Sequence, residues 1–547
     1  MNSKLRRAIE ALAVFAAVTV VLATTAHDYG LGYDEPVYMG RMQDASAWFR
    51  MLRIDPGYAV GYDGIVEFWD AREEQQPGFI KIWGAITTPL VAGVLPVLSA
   101  LRFGTHLLVG FLCASLYLLV ASVWGRLEAV AAVGALITLP RTFAHSHLFA
   151  LDAPVMAATF ISLHLFYLCA RDRSWCWAVA AAAAWGIAMS LKVNAFFVPV
   201  IVFPWLFFFA RDAFGRALVT TVTLGPAFFI GTWPWLWYDT IARAWRYTLF
   251  HARHWQIHVT YFGERVALAP WHLPLVMTAI TTPPATIVAI IAGTVRLGRQ
   301  CRVARDDRDW RERWQDREYQ ITALVALVGW ALFVNYLLNS LPSTPKYNGV
   351  RLFQPVFPML ALVAGVGIGW VARWAGREVA DKGSSMGERM PQIAAAVVVV
   401  LALVFPLRAT VEFHPHQLSY YNALIGGLPG AARAGMEVTY WGDTYLHAAR
   451  WLNENAPEGS TVWIEPPGVE ATMRIYRQLG VMRGDIGSTA GPESIAWADY
   501  AVFQNKVTEF TDISRDLLAT HQPVATIDQH GVPLIFIFDL TDGGEIE

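Results

Sequence analysis

The chain has 547 residues, of which 55% are hydrophobic and 16% charged, with a formal net charge of −2. Soluble proteins average about 25% charged residues, and here the apolar residues run in long blocks, which excludes a wholly soluble protein and predicts an integral membrane protein. The near-neutral balance argues against a nucleic-acid partner, and the four cysteines, Cys113, Cys169, Cys176 and Cys301, fall in apolar runs or at their edges without disulfide-framework or metal-ligand spacing.

Lys4, Arg6 and Arg7 precede a first apolar run, 8–26, which leads through Ala-Thr-Thr-Ala-His into a polar segment. It reads as a retained span rather than a cleaved signal. A span needs about 20 largely apolar residues. The further runs are 103–123, 128–142, 153–170, 176–191, 194–210, 217–236, 273–295, 319–340, 352–372 and 391–410, about eleven in all. The stretch 79–101 is also apolar, but it carries Pro89 and Pro96, and counting it would invert every later loop. It reads as a juxtamembrane or re-entrant segment against the outer leaflet.

With the N-terminus cytoplasmic, Arg126, Arg171, Arg173, Arg211, Arg216, the loop from Arg296 to Arg317 and the loop from Arg373 to Arg389 all fall inside, as the positive-inside rule requires. The outward parts are then 27–102, 141–152, 237–272, 341–351 and everything after 411. Within 241–255, helical spacing puts Arg243, Arg246, His251, Arg253 and His254 on one face and Ile241, Trp245, Leu249 and Trp255 on the other, an interfacial amphipathic pattern. After the last span the periodicity changes. Helical patterns at Tyr445–Asn455, Val469–Leu479 and Asp512–Thr520 alternate with β-prone runs at Ser460–Ile464, Tyr500–Gln504 and Pro533–Asp539, predicting a small extracytoplasmic α/β domain over 411–547.

Three groups could carry chemistry. Asp34 and Glu35, just after the first span, form an acid pair suited to a general base, or an ordinary solvated loop pair. The second run, Pro140-Arg141-Thr142-Phe143-Ala144-His145-Ser146-His147, leads to Asp152 at the mouth of a span. An ionisable residue there is a functional candidate or a helix N-cap, and a His pair two apart is weak as a metal site. The third group is cationic: Arg141, Lys192, Arg246, His254, Lys346 and Arg351. These could bind a phosphate or snorkel to headgroups.

The outer Asp34-Glu35, the juxtamembrane segment and Asp152 in Leu-Asp-Ala-Pro together resemble the GT-C glycosyltransferases, most nearly the protein O-mannosyltransferase and aminoarabinose transferase branch. Gln75-Gln76-Pro77-Gly78-Phe79-Ile80-Lys81 looks like a divergent His-Pro-Pro-Leu-Gly-Lys segment, with the His replaced and one Pro retained. The stretches Lys192-Val193-Asn194, Trp233-Pro234-Trp235, Tyr347–Arg351 and His414–Asn422 also resemble bacterial members of unassigned acceptor. The resemblance covers roughly 1–410. It implies a polytopic all-α GT-C-like membrane domain acting as an inverting, metal- and cofactor-independent transferase of a sugar from a polyprenyl-phosphate donor to an acceptor hydroxyl outside the cytoplasmic membrane. Asp34 would be the general base, Glu35 and Asp152 would support it, and the cations would bind the lipid phosphate. The rival expectations are a transporter or flippase of a lipid-linked sugar, or a non-catalytic relative that binds glycolipid. No internal repeat of the kind common in transporters is visible.

Overall fold

The protein was analysed as a computed structural model describing residues 3–253, 257–301, 310–382 and 389–541. It is mostly helical, and each of the apolar runs predicted to span folds as helix. Among the described residues, seven helices are long and apolar enough to cross a bilayer: Lys4–Asp28, Val97–Val123, Asp152–Asp172, Arg211–Gly231, Arg317–Ser340, Arg351–Asp381 and Met390–Glu412. The run 128–142 is instead part of a broken pair, Arg126–Ile137 and Pro140–His147, bent by 74°. Likewise 273–295 lies in Leu273–Thr281 and Pro284–Gln300, bent by 114°. Proline stands at each break, where it removes a donor and disfavours helix in the residue before it. Counting each bent pair as one span gives up to nine. The runs 176–191 and 194–210 form the shorter apolar helices Trp175–Met189 and Val193–Phe209, which accounts for the difference from the eleven expected.

The stretch 27–102, expected to face outward, is itself largely helical, with Glu35–Ile54, Tyr62–Trp69 and Phe79–Val91. Phe79–Val91 has 13 residues and rises only about 20 Å, short of the ~30 Å hydrocarbon core. After a break ending at Pro96, the next helix starts at Val97. Met390–Glu412 leaves Val400, Leu401, Phe405 and Val411 more than half exposed, a surface that suits lipid rather than water.

Beyond the last span, five strands form a mixed sheet in the order Gly487–Thr489, Thr461–Glu465, Tyr500–Gln504, Val532–Asp539, Ala525–Gln529. The first three pair in parallel and the last three antiparallel. The central strands are buried on both faces. Trp463, Ala501, Phe503 and Phe538 pack with Leu517 of the helix Asp512–Thr520. Val462, Ile464, Val502, Ile535 and Ile537 point the other way, into a cluster with Leu446, Leu452 and Met473. That cluster continues into Leu31, Tyr38, Met42, Phe149 and Val155, so the sheet unit and the stretch after the first span share one core.

The loop entering Glu35–Ile54 is fixed by an ion pair that no solvent reaches. Glu35 and Arg102 are each 0% exposed. Arg102 donates through Nε to Glu35 Oε1 (2.8 Å) and through Nη2 to Glu35 Oε2 and Gly30 O (both 2.7 Å). Its Nη1 donates to Ala26 O (2.7 Å) and Tyr29 O (2.8 Å). Glu35 also accepts from Gly32 N (2.8 Å) and Phe149 N (2.6 Å). All five guanidinium hydrogens are used, the condition under which a buried pair is tolerated. Arg102→Ala leaves Glu35 charged and buried alone. It is expected to cost about 3–5 kcal/mol, read as a large fall in thermal unfolding temperature of the detergent-solubilised chain.

Candidate active site

Two helices begin with the predicted acids, and their amino ends meet. Asp34 is the N-cap of Glu35–Ile54, with no side-chain capping bond. Asp152 is the first residue of Asp152–Asp172. A helix N-terminus favours a negative charge at each place. Between them lies Arg351, the first residue of the turn Arg351–Val356. Its Nε donates to Asp152 Oδ2 (2.8 Å) and its Nη2 to Asp34 Oδ2. Lys192 donates to the other oxygen of Asp152 (2.5 Å). The result is an alternating row, Asp34–Arg351–Asp152–Lys192, drawn from four separate parts of the chain.

Solvent access differs sharply along the row. The Asp152 side chain is 1% exposed, Arg351 9% and Lys192 15%, whereas Asp34 is 35% exposed. The guanidinium of Arg351 lies 4.1 Å from the ring centre of Trp441, a stacking contact that holds its plane. Trp441 is fully buried, and its backbone sits at a left-handed φ of 72° beside Gly442. Its carbonyl accepts from Tyr33 N (2.9 Å), so the residue next to Asp34 is hydrogen-bonded to the residue beneath Arg351.

The structure thus brings Asp34, Asp152, Lys192 and Arg351 together, while Glu35, Arg141, Arg246 and Lys346 make no bond to that row. Glu35 is corrected from a substrate-facing acid to a structural one, because both its oxygens are taken up by Arg102 and two backbone amides. Lys346 donates to Leu341 O (2.8 Å) and Thr344 O (2.9 Å), just past the end of the helix Arg317–Ser340. The basic face expected on 241–255 also divides. Arg243 turns inward over the Trp235 ring (3.6 Å) and donates to Trp235 O (2.6 Å), while Arg246 is exposed. Ile241 and Trp245 point outward at 87% and 61% exposure, the disposition of a helix lying in a lipid interface. His254 lies outside the described residues. Arg141 is 2% exposed and near the row but not in it, its Nε donating to Tyr420 O (3.0 Å). His145 and His147 diverge, the first toward Tyr440 Oη (3.2 Å) and the second toward Thr25 Oγ1 (2.8 Å). Among the described residues, no three His, Cys, Asp or Glu side chains converge as metal ligands.

Several contributors were not anticipated. Arg102 and Trp441 are among them, and so is a cluster behind Glu35–Ile54. There Arg41 forks onto Glu74 (2.7 and 2.8 Å), and Lys81, 5% exposed, approaches Glu74 (3.4 Å) and Gln76 O (3.0 Å). Lys81 ends the divergent Gln75–Lys81 segment, the one signal that could have marked it. Asp443 is buried beside the Glu35–Arg102 pair, with Oδ1 lacking a partner among the described residues. Burial pushes its carboxyl up to about 7. Below the row, an apolar cavity of about 100 Å³ is lined by Val18, Leu22, Leu136, Phe143 and Met156.

A family described as Dolichyl-phosphate-mannose-protein mannosyltransferase matches residues 88–238, a stretch holding Arg102, Arg141, Asp152 and Lys192 but not Asp34 or Arg351. No curated protein matches the sequence. Among solved structures, ArnT from Cupriavidus metallidurans bound to undecaprenyl phosphate aligns at 15% identity and a TM-score of 0.48, covering 97% of this chain and 99% of that one. Its apo form aligns at 15% and 0.49, covering 97% and 98%. The Archaeoglobus fulgidus oligosaccharyltransferase tethered with an acceptor peptide aligns at 12% and 0.46, covering 90% and 69%.

The Asp443 carboxyl gives the site a pH signature. Its folded pKa of about 7 lies above the ordinary value of 3.8, so the folded state holds a proton that the unfolded state releases. Stability therefore falls as pH rises from about 4 to about 7 and levels off above that, by up to roughly 4 kcal/mol. Asp443→Asn should raise the unfolding temperature little at pH 4.5 and progressively more toward pH 7.5. A difference from wild type that is constant across this range would contradict the assignment.

Proposed function

We propose, from the mannosyltransferase-family pattern across residues 88–238, that this chain transfers a sugar from a polyprenyl-phosphate carrier to an acceptor hydroxyl. The transfer takes place at the extracytoplasmic face of the cytoplasmic membrane, with residues 411–547 forming an α/β domain on that side. The observation that carries the reading is the ionic row Asp34–Arg351–Asp152–Lys192, in which Asp34 alone presents a partly open carboxylate.

Asp34 accepts the proton of the acceptor hydroxyl as its oxygen attacks the anomeric carbon. The bond from that carbon to the phosphate oxygen breaks, and its electron pair leaves with the polyprenyl phosphate. One C–O bond forms and one breaks on opposite faces, so the anomeric configuration inverts. Arg351 can release Asp34 and turn Nη2 to the departing phosphate while Nε stays on Asp152, with Lys192 holding the other oxygen of that acid. A cation that meets negative charge as it develops favours the transition state over the ground state. The row stands where helices begin rather than midway along a span, which supports chemistry at the membrane face over passage through it.

Asp34→Asn is expected to reduce transfer of a radiolabelled sugar from polyprenyl phosphate by about 10²–10⁴-fold, the usual worth of a general base, with expression and unfolding temperature maintained. Turnover at the wild-type rate would remove Asp34 from the mechanism.

A further inference from the structure

The loop that follows the central strand of the C-terminal sheet carries an ion pair outside the row. Lys506, 4% exposed, donates to Glu509 Oε1 (2.7 Å). The loop has a firm base. It continues the strand Tyr500–Gln504, which is paired on both sides, and Asn505 adds bonds from N to Leu534 O and from Nδ2 to Pro533 O (both 2.8 Å). Thr508 Oγ1 donates to Glu437 Oε1, which also accepts from Thr260 N (both 3.2 Å). Burying an ammonium is costly, and the second contact of this one leaves the sheet unit altogether. Lys506 Nζ reaches Asn348 Oδ1 at 3.4 Å, at the long end for such a bond.

The two ends of the pair touch the two sides of the Asp34–Arg351 contact. Glu509 Oε2 accepts from Tyr33 Oη (2.8 Å), and Tyr33 is the residue before Asp34. Gln504 Oε1 accepts from the same hydroxyl (3.1 Å), while its Nε2 donates to the hydroxyls of Thr439 and Thr444 (2.9 and 3.0 Å). On the other side, Asn348 stands three residues before Arg351. Asn348 and Gly349 both lie at left-handed φ, 54° and 65°, and Asn348 O accepts from Arg351 N (3.3 Å). Asparagine is one of the few residues with a side chain that enters this region routinely. Here that side chain is tied to Lys506, so the turn that presents Arg351 is held at its first residue.

We infer that Lys506 and Glu509 are positioning residues for the ionic row. One ion pair, carried on the C-terminal unit, fixes the spacing between the loop that leads to Asp34 and the turn that leads to Arg351. Neither residue bonds the row itself, so both act through Tyr33 and Asn348. A misplacement of about 1 Å far from the reacting atoms is enough to cost about 10²-fold in rate. The effect of the pair on turnover rests on the transfer reading above; its effect on backbone order does not.

Hydrogen exchange on the full-length chain in detergent tests the bridge directly. Lys506→Met should quicken amide exchange in both 31–36 and 346–351. The strand Val532–Asp539 should keep its protection, which shows that the sheet unit stays folded. Quickening in one segment alone, or in neither, would overturn the inference. The double variant Lys506→Met with Glu509→Leu leaves no buried charge unanswered, so its unfolding temperature should lie closer to wild type than that of Lys506→Met. In transfer of a radiolabelled sugar from polyprenyl phosphate, both variants should lose about 10–100-fold in kcat with the KM for the carrier unchanged, and Lys506→Arg should recover most of the loss. A double variant with wild-type kcat would reduce the pair to a structural tie and sink the positioning role. Wild-type turnover in Asp34→Asn, by contrast, would remove the transfer reading and leave the exchange result standing.

Discussion

The site depends on the buried pair of Glu35 and Arg102. Arg102 stands near the start of a long membrane helix, and Glu35 opens the first helix outside it. Through that one guanidinium the carbonyls of Ala26, Tyr29 and Gly30 are gathered, while Glu35 reaches across to the amide of Phe149. The pair therefore fixes the loop after the first span against both Val97–Val123 and the segment leading to Asp152. Asp34 is the preceding residue, so its place opposite Asp152 follows from where its neighbour is anchored. Removing both charges together would cost less than removing one. The pair's value here is the geometry it imposes.

Three acids at comparable positions meet three different fates, and helix geometry explains the first division. Adjacent residues in a helix point about 100° apart, so Asp34 and Glu35 cannot serve the same purpose. One stays 35% exposed and the other enters the core. Asp152 is nearly as enclosed as Glu35, yet its partners are side chains from later segments, not backbone amides. Its role is to hold Arg351 and Lys192.

Much of this was legible in sequence for identifiable reasons. The apolar runs were found because lipid demands continuous hydrophobic surface, and the strand Tyr500–Gln504 and helices Tyr445–Asn455 and Asp512–Thr520 appear where their periodicity puts them. The strands Gly487–Thr489 and Ala525–Gln529 were missed because they are the two sheet edges, where short polar strands suffice. Asp34, Asp152, Lys192 and Arg351 stood out as ionisable residues at span ends. Lys346 and Arg243 stood out equally, since a cation bonded to carbonyls or stacked on a ring has no local sequence mark that separates it from one reserved for a ligand. Arg102 was hidden inside an apolar run. Trp441 lies some ninety positions from Arg351, and only folding reveals their contact.

The C-terminal unit belongs to the site rather than hanging from it. Tyr33 donates to Glu509 (2.8 Å) and Gln504 (3.1 Å), Leu31 N donates to Tyr476 Oη (2.7 Å), and Trp441 closes the row from beneath Arg351. Gly30 passes so near that an added Cβ would stand 2.0 Å from Asp443 O, a fit that no larger residue permits without moving one segment. The loop carrying Asp34 is thus clasped from two sides, by Arg102 on the membrane helix and by the backbone around 441–443. Arg351, stacked on Trp441 and bonded to both Asp34 and Asp152, then joins the clasped loop to the helix that Asp152 begins.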